Sequence, residues 1–216
     1  MTTNREVFDE IAESWYRLRH WCRFTNELNQ MALRWQKGRL LNIGCAHGPD
    51  FLAFRGNFEL WGVDFSTQMI TMAQKYTTKF KFDAQLVVAD AVSLPFVNGI
   101  FDWAIAVATY HHIKGSEQRQ NAFKELKRVL KPGAEAFITV WNKWQPGFWF
   151  KGRELDIAWK AKGKTIYRYY HLYSYHELRK ELTQTGLEIV SIVPENSYRF
   201  PLKLFSRNIC VLVKSL

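Results

Sequence analysis

Five apolar runs alternate with helical patterns between residues 39 and 141, and this alternation limits the fold more than any other feature of the chain. Strands joined by helical crossovers predict a mostly parallel, doubly wound α/β sheet with helices on both faces. The fourth run is almost entirely apolar, as expected of a strand that is covered on both faces. The runs occupy residues 40–43, 58–63, 85–89, 101–108 and 134–141.

Two further apolar runs, 187–193 and 208–213, raise the predicted sheet to seven strands. They are neighbours in the sequence, so we expect an antiparallel hairpin at the sheet edge. Before them, Ser174 and Glu177 have the spacing of a capping box and predict a helix start. A length of 216 residues fits one domain, which we divide into a helical cap (1–38), a cofactor-binding core (39–141), an aromatic and basic insertion (142–173), and a C-terminal helix with the hairpin (174–216).

The first apolar run stops abruptly in two glycines, Gly44 and Gly48, and the stretch 49–54 predicts the opening of a helix. Glycine lets the main chain turn sharply and approach a bound molecule, and a helix would add its N-terminal dipole. An ordinary strand-to-helix turn has the same pattern. The loop alone therefore leaves a plain turn and a ligand site both open.

Acidic residues stand at the ends of the second and third predicted strands. Ligands of open α/β sheets bind beyond the strand C-termini, so Asp64 and Asp90 are expected to face one crevice. A carboxylate after the second strand can accept both hydroxyls of a ribose, and one after the third can accept from an adenine amine. Each residue alone could instead cap a helix or turn. Together they favour a nucleoside-bearing cofactor.

The spacing of the loop distinguishes two such cofactors. The NAD fingerprint, Gly-x-Gly-x-x-Gly, provides a seat for a pyrophosphate. This chain has Gly44, Ala46 and Gly48 at alternate positions instead. A tight turn without a pyrophosphate seat favours S-adenosylmethionine, which contains no phosphate.

The net charge of +10, from 30 basic and 20 acidic residues, suggests a polyanionic partner such as RNA or DNA. Aromatic residues make up 16% of the chain and can stack on unpaired bases. Solubility explains the same net charge, and core packing explains the same aromatic content. The insertion concentrates this character. Its acidic residues are only Glu154 and Asp156, whereas seven are basic. The basic residues are Lys143, Lys151, Arg153, Lys160, Lys162, Lys164 and Arg168.

Several protein classes are disfavoured by composition. No apolar run approaches the roughly 20 residues that cross a bilayer, and the N-terminus lacks a signal-peptide pattern. A cytoplasmic protein without membrane contact is expected. Cys22, Cys45 and Cys210 are odd in number and widely scattered, so they predict reduced structural thiols and no metal site.

Successive motifs from 39 to 141 resemble the class I S-adenosylmethionine-dependent methyltransferases. They read LLNIGCAHG, GVDFS, VVADAVSLPF, FDWAIAVATYHHI and ELKRVLKPGAEAFI. The resemblance implies a Rossmann-like fold, S-adenosylmethionine as cofactor, and these cofactor-binding residues: Asn42, Gly44, Ala46, Gly48, Asp64, Phe65, Met69, Asp90 and Ala91.

Two residues depart from that family's pattern. Asn42 occupies the position of an acidic residue, so it lacks the charge that would attract the ammonium group of the cofactor. Ala46 replaces the middle glycine, a small change if its backbone φ is negative. The departures predict weaker cofactor binding.

Both ends of the chain are similar to the tRNA methyltransferases that esterify 5-carboxymethyluridine at the wobble position. The matching segments read VFDEIAESWYRLRHW and YRYYHLYSYHELRKELTQTGLEIV. This resemblance implies tRNA as substrate and a small zinc-carrying activator subunit as partner. It also implies five residues near the methyl acceptor, with the choice between the two adjacent histidines left open: Arg19, His111, His112, Arg168 and His171.

Two other functions fit the same core. One is a small-molecule methyltransferase in which the aromatic insertion forms a lid over an apolar substrate. The other is a binding module that keeps the fold without catalysis, which the substitutions at Asn42 and Ala46 would suit.

Overall fold

The computed structural model describes residues 3–19, 21–161 and 163–216, so Lys162 of the basic insertion lies outside the described residues. The helices are α1 (Asn4–Leu18), α2 (Thr25–Trp35), α3 (Thr67–Phe80), α4 (Ser116–Val129) and α5 (Tyr175–Gln184). The strands are β1 (Gly38–Ile43), β2 (Phe58–Asp64), β3 (Gln85–Val88), β4 (Phe101–Val107), β5 (Leu130–Trp141), β6 (Glu154–Ala161), β7 (Lys164–His171), β8 (Leu187–Pro194) and β9 (Asn208–Ser215). Among the described residues, no helix is both long enough and apolar enough to cross a membrane.

Seven of these strands form one sheet in the order β3-β2-β1-β4-β5-β9-β8. Strands β1 to β5 are parallel, whereas β9 runs antiparallel to both β5 and β8. The order reverses between β1 and β4, which is where open α/β sheets form a ligand crevice. The predicted mostly parallel, doubly wound sheet with an antiparallel C-terminal hairpin is confirmed.

The helices cover both faces of the sheet, as the alternation of apolar runs predicts. On one face, α4 and α5 bury Phe123, Leu126 and Leu182 against the sheet. On the other face, α2 and α3 contribute Leu28 and Ile70 to a second core cluster. The central strands are therefore buried on both sides.

Helix α1 forms an outer layer on α3. Phe8 and Ile11 pack against Met69 and Met72, so the N-terminal segment is fixed over the C-terminal ends of the strands. A capping box between Thr3 and Glu6 starts this helix.

The insertion contains a β-hairpin that the sequence did not reveal. Strands β6 and β7 pair antiparallel as a separate two-stranded sheet. The hairpin lies on α1, where the Trp159 Nε1–H donates to Ser14 Oγ (3.0 Å) and the Trp159 and Trp15 rings are 5.0 Å apart. Along β7, Arg168 and Tyr170 are buried whereas Tyr167 is exposed, the alternation of a strand with one covered face.

The helix predicted to open at residues 49–54 is wrong. Only a five-residue 3₁₀-helix forms there, Pro49–Ala53, and β2 begins soon after it at Phe58. Phe51 and Phe54 are both fully buried, and Gly56 turns the chain with φ 103°. Because these constraints hold the segment in a tight turn, no long helix dipole supports the loop after β1.

The loop after β1 is held by its neighbours. The backbone N–H groups of Gly44 and Cys45 both donate to the Val63 carbonyl, at 2.8 and 2.9 Å. Ala46 follows with φ 47°, so the condition under which alanine would be a small change, a negative φ, is not met. A left-handed conformation is unfavourable for alanine because its Cβ crowds the following carbonyl. The substitution of the family's glycine therefore leaves strain in this loop.

Replacing Ala46 with glycine should relieve that strain. We expect Ala46→Gly to raise the free energy of unfolding by about 1 kcal/mol in chemical denaturation. Ala122→Gly, in the interior of α4, is the matched control and should lower it by about 1 kcal/mol. A loss of stability in both variants would contradict the strain at Ala46.

Candidate active site

A cavity of about 630 Å³ opens at the C-terminal ends of β1, β2 and β4. Its floor consists of the segments that follow the strands, including 44–47, 64–65, 89–92 and 107–109. The opposite wall comes from Trp15 on α1 and Trp159 on the hairpin. The cavity therefore lies at the switch point of the sheet, between the parallel core and its two outer layers.

Asp64 is at the centre of the cavity floor. One carboxylate oxygen accepts the Ala46 N–H (2.9 Å) and the other accepts the Ser66 N–H (2.9 Å). Burial raises the pKa of Asp64 to about 6, although both hydrogen bonds oppose the increase. Because each carboxylate oxygen has two acceptor sites, both oxygens can still accept a further hydrogen bond from a ligand.

Asp90 lines the same cavity, but in a more exposed position. Its Oδ1 accepts the Val92 N–H (3.1 Å) in the turn after β3. The structure thus brings Asp64 and Asp90 to one cavity, where the sequence analysis expected them.

Gly44, Ala46, Phe65 and Ala91 also line the cavity. A Cβ atom at Gly44 would lie 2.4 Å from the Thr109 side chain, so only glycine fits this close contact between the β1 and β4 loops. Two non-glycine residues in the lining, Ala46 and Ala108, have positive φ angles of 47° and 55°. Such conformations persist only where the surrounding structure enforces them.

Three other residues expected to bind cofactor are absent from the cavity lining. Met69 is fully buried between α1 and α3. Gly48 forms the left-handed residue before Pro49, with φ 90°. Asn42 is fully buried within β1, and neither polar atom of its side chain has a hydrogen-bond partner in the described part of the chain.

Arg168 projects from β7 into an aromatic cage at the cavity. Its guanidinium carbon lies 5.3 Å from the Trp15 ring, 5.0 Å from Trp159 and 5.2 Å from Tyr170. The residue is 5% exposed, and its Nε has no hydrogen-bond partner among the described residues. Burial lowers the pKa of Arg168, but an arginine still remains charged at neutral pH. The cavity therefore contains a buried cation.

Further arginines extend this positive region. The Arg19 guanidinium carbon lies 5.5 Å from the Trp15 ring, and its charge also lowers the pKa of Arg168. Arg23 and Arg207 line the cavity as well, with Arg207 positioned 5.7 Å from the Trp141 ring. The positive region thus extends from α1 to the start of β9.

His111 and His112 follow β4 in a short 3₁₀ turn and both line the cavity. His111 Nδ1 accepts the Trp141 N–H (3.2 Å), which assigns its proton to Nε2. His112 Nδ1 lies 2.9 Å from the Tyr169 carbonyl and must donate to it. Burial lowers the pKa of His112 to about 3 and also lowers that of His111, so both rings are neutral at pH 7.

His171 does not reach the cavity, contrary to the position that the resemblance implies. Its Nε2 lies 2.9 Å from Glu177 Oε1, and its ring packs edge-on against Tyr173. Glu177 is the acidic member of the capping box that starts α5 at Ser174. His171 consequently has a structural setting between β7 and α5.

The polar lining residues that sequence reasoning missed include Asp50, Arg207 and Asn208. For Arg207 and Asn208 a signal existed. Since β9 is antiparallel, its first residue pairs with Trp141 at the end of β5 and so lies at the ligand-binding edge. Asp50 carried no such signal, because the segment around it was interpreted as an ordinary helix start.

The residues present fit S-adenosylmethionine. Asp64 keeps acceptor capacity for a ribose, Asp90 offers a carboxylate one strand away, and Gly44 leaves the main chain accessible. A cavity of this size lies within the range of small-molecule sites.

Comparison with known proteins agrees with this fit. A methyltransferase-domain family matches residues 41–138. The provisionally named methyltransferase ECU09_1500 of Encephalitozoon cuniculi is 30% identical over 181 residues, which cover 81% of this chain and 80% of that protein. The tRNA (carboxymethyluridine(34)-5-O)-methyltransferase of Xenopus tropicalis is 33% identical over 139 residues, or 63% of this chain and only 20% of that longer protein.

A solved S-adenosylmethionine-dependent methyltransferase from Clostridium acetobutylicum superposes with a TM-score of 0.74 at 15% identity, covering 96% of this chain and 98% of that one. This similarity shows the fold. With the family match and the Encephalitozoon relative, it shows that the chain belongs to the S-adenosylmethionine-dependent methyltransferases.

Proposed function

We propose that this methyltransferase acts on tRNA and esterifies the carboxymethyl group of a modified wobble uridine. The observation that carries the proposal is Arg168, a buried cation at the cavity for which the described residues provide no carboxylate within ion-pair distance. A buried charge is unfavourable unless a partner compensates it. Aromatic rings compensate only part of that energy, so the site favours an anionic acceptor.

A carboxylate matches this cation in shape as well as in charge. The guanidinium group can bind two carboxylate oxygens through parallel hydrogen bonds. Arg19, which also contacts Trp15 and lines the cavity, is available to hold a second anionic group such as a phosphate. We expect these contacts to orient the acceptor, because a very strong ion pair would reduce its nucleophilicity.

The protonation states of the histidines also favour a carboxylate acceptor. S-adenosylmethionine supplies an electrophilic methyl group, and a carboxylate with a pKa of about 4 is already ionised at neutral pH. No proton has to be removed from it. A histidine with a pKa of about 3, as for His112, would be a weak general base for a neutral hydroxyl or amine. The Nε2–H of His111 can instead donate to the acceptor.

An exposed aromatic patch beside the cavity supports an RNA substrate. We define the outer aromatic patch as Trp144, Trp149, Phe150 and Phe205. Phe150 is fully exposed, and the Trp149 and Phe205 rings are 5.3 Å apart. Aromatic faces beside cations are typical of surfaces that bind single-stranded nucleic acid, and here the Lys143 Nζ lies 5.2 Å from the Trp144 ring while Lys151 follows Phe150 in the sequence.

The patch approaches the cavity through Phe148, which precedes Trp149 in the sequence. Phe148 lies 5.8 Å from the ring of Trp141, which lines the cavity, and Lys151 lies 5.4 Å from the Phe148 ring. A tRNA whose modified base enters the cavity can therefore place neighbouring nucleotides on the patch. The Xenopus relative, named for carboxymethyluridine, supports the same substrate class. The small zinc-carrying activator subunit and the cytoplasmic location remain predictions.

The tRNA proposal predicts a new methyl ester in tRNA. We expect label from S-adenosylmethionine to enter tRNA isolated from cells that lack the ester, and mass spectrometry of nucleosides to identify a methyl ester that mild base removes. The assay is run with and without a candidate activator subunit. Failure to label tRNA in either case would contradict the proposal. Labelling of a small molecule that tRNA does not inhibit would favour the alternative methyltransferase.

The division of roles within the cavity predicts a second result. Asp64→Ala should weaken S-adenosylmethionine binding in calorimetry by about tenfold or more, whatever the acceptor is. Arg168→Ala should leave cofactor binding unchanged and reduce transfer to tRNA at least about tenfold. Arg17→Ala, which removes an exposed arginine paired with Glu13, is the control and should change neither. Equal loss of cofactor binding in the two test variants would refute this division.

The outer aromatic patch predicts a third result. Phe150→Ala should weaken tRNA binding about fivefold or more, measured by fluorescence anisotropy, because one stacked base is lost. Leu33→Ala removes another exposed apolar side chain, on α2, and serves as the control. Unfolding and cofactor affinity should be unaffected in both variants. A tRNA affinity equal to that of the unmodified protein would exclude Phe150 from the RNA interface.

A further inference from the structure

We infer that Asp50 binds the α-ammonium group of S-adenosylmethionine and supplies the negative charge that Asn42 lacks. The inference rests on the proposed assignment of Asp64 to the ribose and Asp90 to the adenine. It concerns a residue that lies outside the motifs from which the family's cofactor contacts were predicted.

Asp50 is a buried carboxylate at the cavity with no cation of its own. It is 8% exposed and lines the cavity. Within the described ranges, no lysine, arginine or histidine forms an ion pair with it, and the side chain that acts to lower its pKa is the Cys22 thiol. Burial raises the pKa of Asp50 to about 6, so it is mainly ionised at neutral pH. A carboxylate in this setting is well suited to bind a cationic ligand group.

The sheet order places Asp50 next to the two other carboxylates. Asp90 follows β3, Asp64 ends β2, and Asp50 follows β1, so one carboxylate belongs to each of three adjacent strands. Two strand spacings amount to about 10 Å. With adenine at Asp90 and ribose at Asp64, the methionine end of the cofactor continues towards Asp50 and carries the ammonium group there.

Asn42 cannot take this role in the observed structure. Its side chain is uncharged, fully buried and outside the cavity lining. Asp50 lies eight positions after Asn42, beyond the end of β1, and the 3₁₀ turn from Pro49 to Ala53 holds it at the cavity. The chain thus retains a carboxylate near the end of β1 at a different position.

A purely structural role explains Asp50 poorly. A thiol is a weak hydrogen-bond donor, and a buried carboxylate with such a partner does not stabilise the folded state. Replacement by the isosteric asparagine should therefore be compatible with folding. Binding of the cofactor, however, should depend on the charge.

Calorimetry with three ligands tests the inference without any methyl acceptor. S-adenosylhomocysteine keeps the ammonium group but has an uncharged sulfur, whereas 5′-methylthioadenosine lacks the amino-acid part entirely. Asp50→Asn should weaken binding of S-adenosylmethionine and S-adenosylhomocysteine by about 10- to 100-fold and leave methylthioadenosine unchanged. Asp64→Ala should weaken all three ligands. A failed tRNA assay would not affect these results.

Two outcomes would overturn the inference. In the first, Asp50→Asn weakens binding of S-adenosylmethionine alone, which would show that the carboxylate faces the sulfonium. In the second, it weakens binding of all three ligands equally, which would show a general distortion. Deaminated S-adenosylhomocysteine provides a test on the unmodified protein if the variant does not fold. The unmodified protein should bind the deaminated ligand about 10- to 100-fold more weakly than S-adenosylhomocysteine. Asp50→Asn, where it folds, should cause no further loss of affinity for the deaminated ligand. Equal affinity for the deaminated and normal ligands would refute the role of Asp50.

Discussion

The carboxylate of Asp64 holds together the parts of the molecule on which the cavity depends. One oxygen fixes the β1 loop through the Ala46 N–H, and the other fixes the turn into α3 through the Ser66 N–H. Ser66 in turn caps α3 and donates to Asp9 on α1 at 2.6 Å. A single buried side chain therefore couples the first strand, the second strand and the N-terminal helix. This network therefore also positions α1, which contributes Trp15 to the outer wall of the cavity.

The cofactor side and the acceptor side of the cavity come from different parts of the chain. The loops after β1, β2 and β3 belong to the parallel core, whose periodicity makes them readable in the sequence. Trp15, Trp159 and Arg168 come from α1 and the β6–β7 hairpin, which are additions to that core. The second group carries the specificity proposed for the methyl acceptor.

Much of the fold followed from local pattern, and the failures have physical causes. Strands β1 to β5 were recognisable because burial on both faces requires continuous apolar runs. The 3₁₀ turn at Pro49 was missed because buried Phe51 and Phe54 override the local preference for helix, and φ at Ala46 depends on the neighbouring strand rather than on alanine itself. The hairpin was missed because its partner surface is α1, which lies far away in the sequence.

The candidate site was predictable to a similar extent. Asp64 and Asp90 followed from strand ends, whereas Arg207 required the antiparallel direction of β9. His171 was misplaced because a motif gives spacing but not orientation, and Glu177 directs its ring towards α5.

The burial of Arg168 also bears on turnover. Under the proposed reaction the acceptor enters as an anion and leaves as a neutral ester, so the guanidinium loses its counter-charge at the moment of methyl transfer. A cation enclosed by Trp15, Trp159 and Tyr170 cannot be compensated by bulk water in the meantime. The aromatic cage that strengthens binding of the substrate therefore weakens binding of the product, and this asymmetry favours product release.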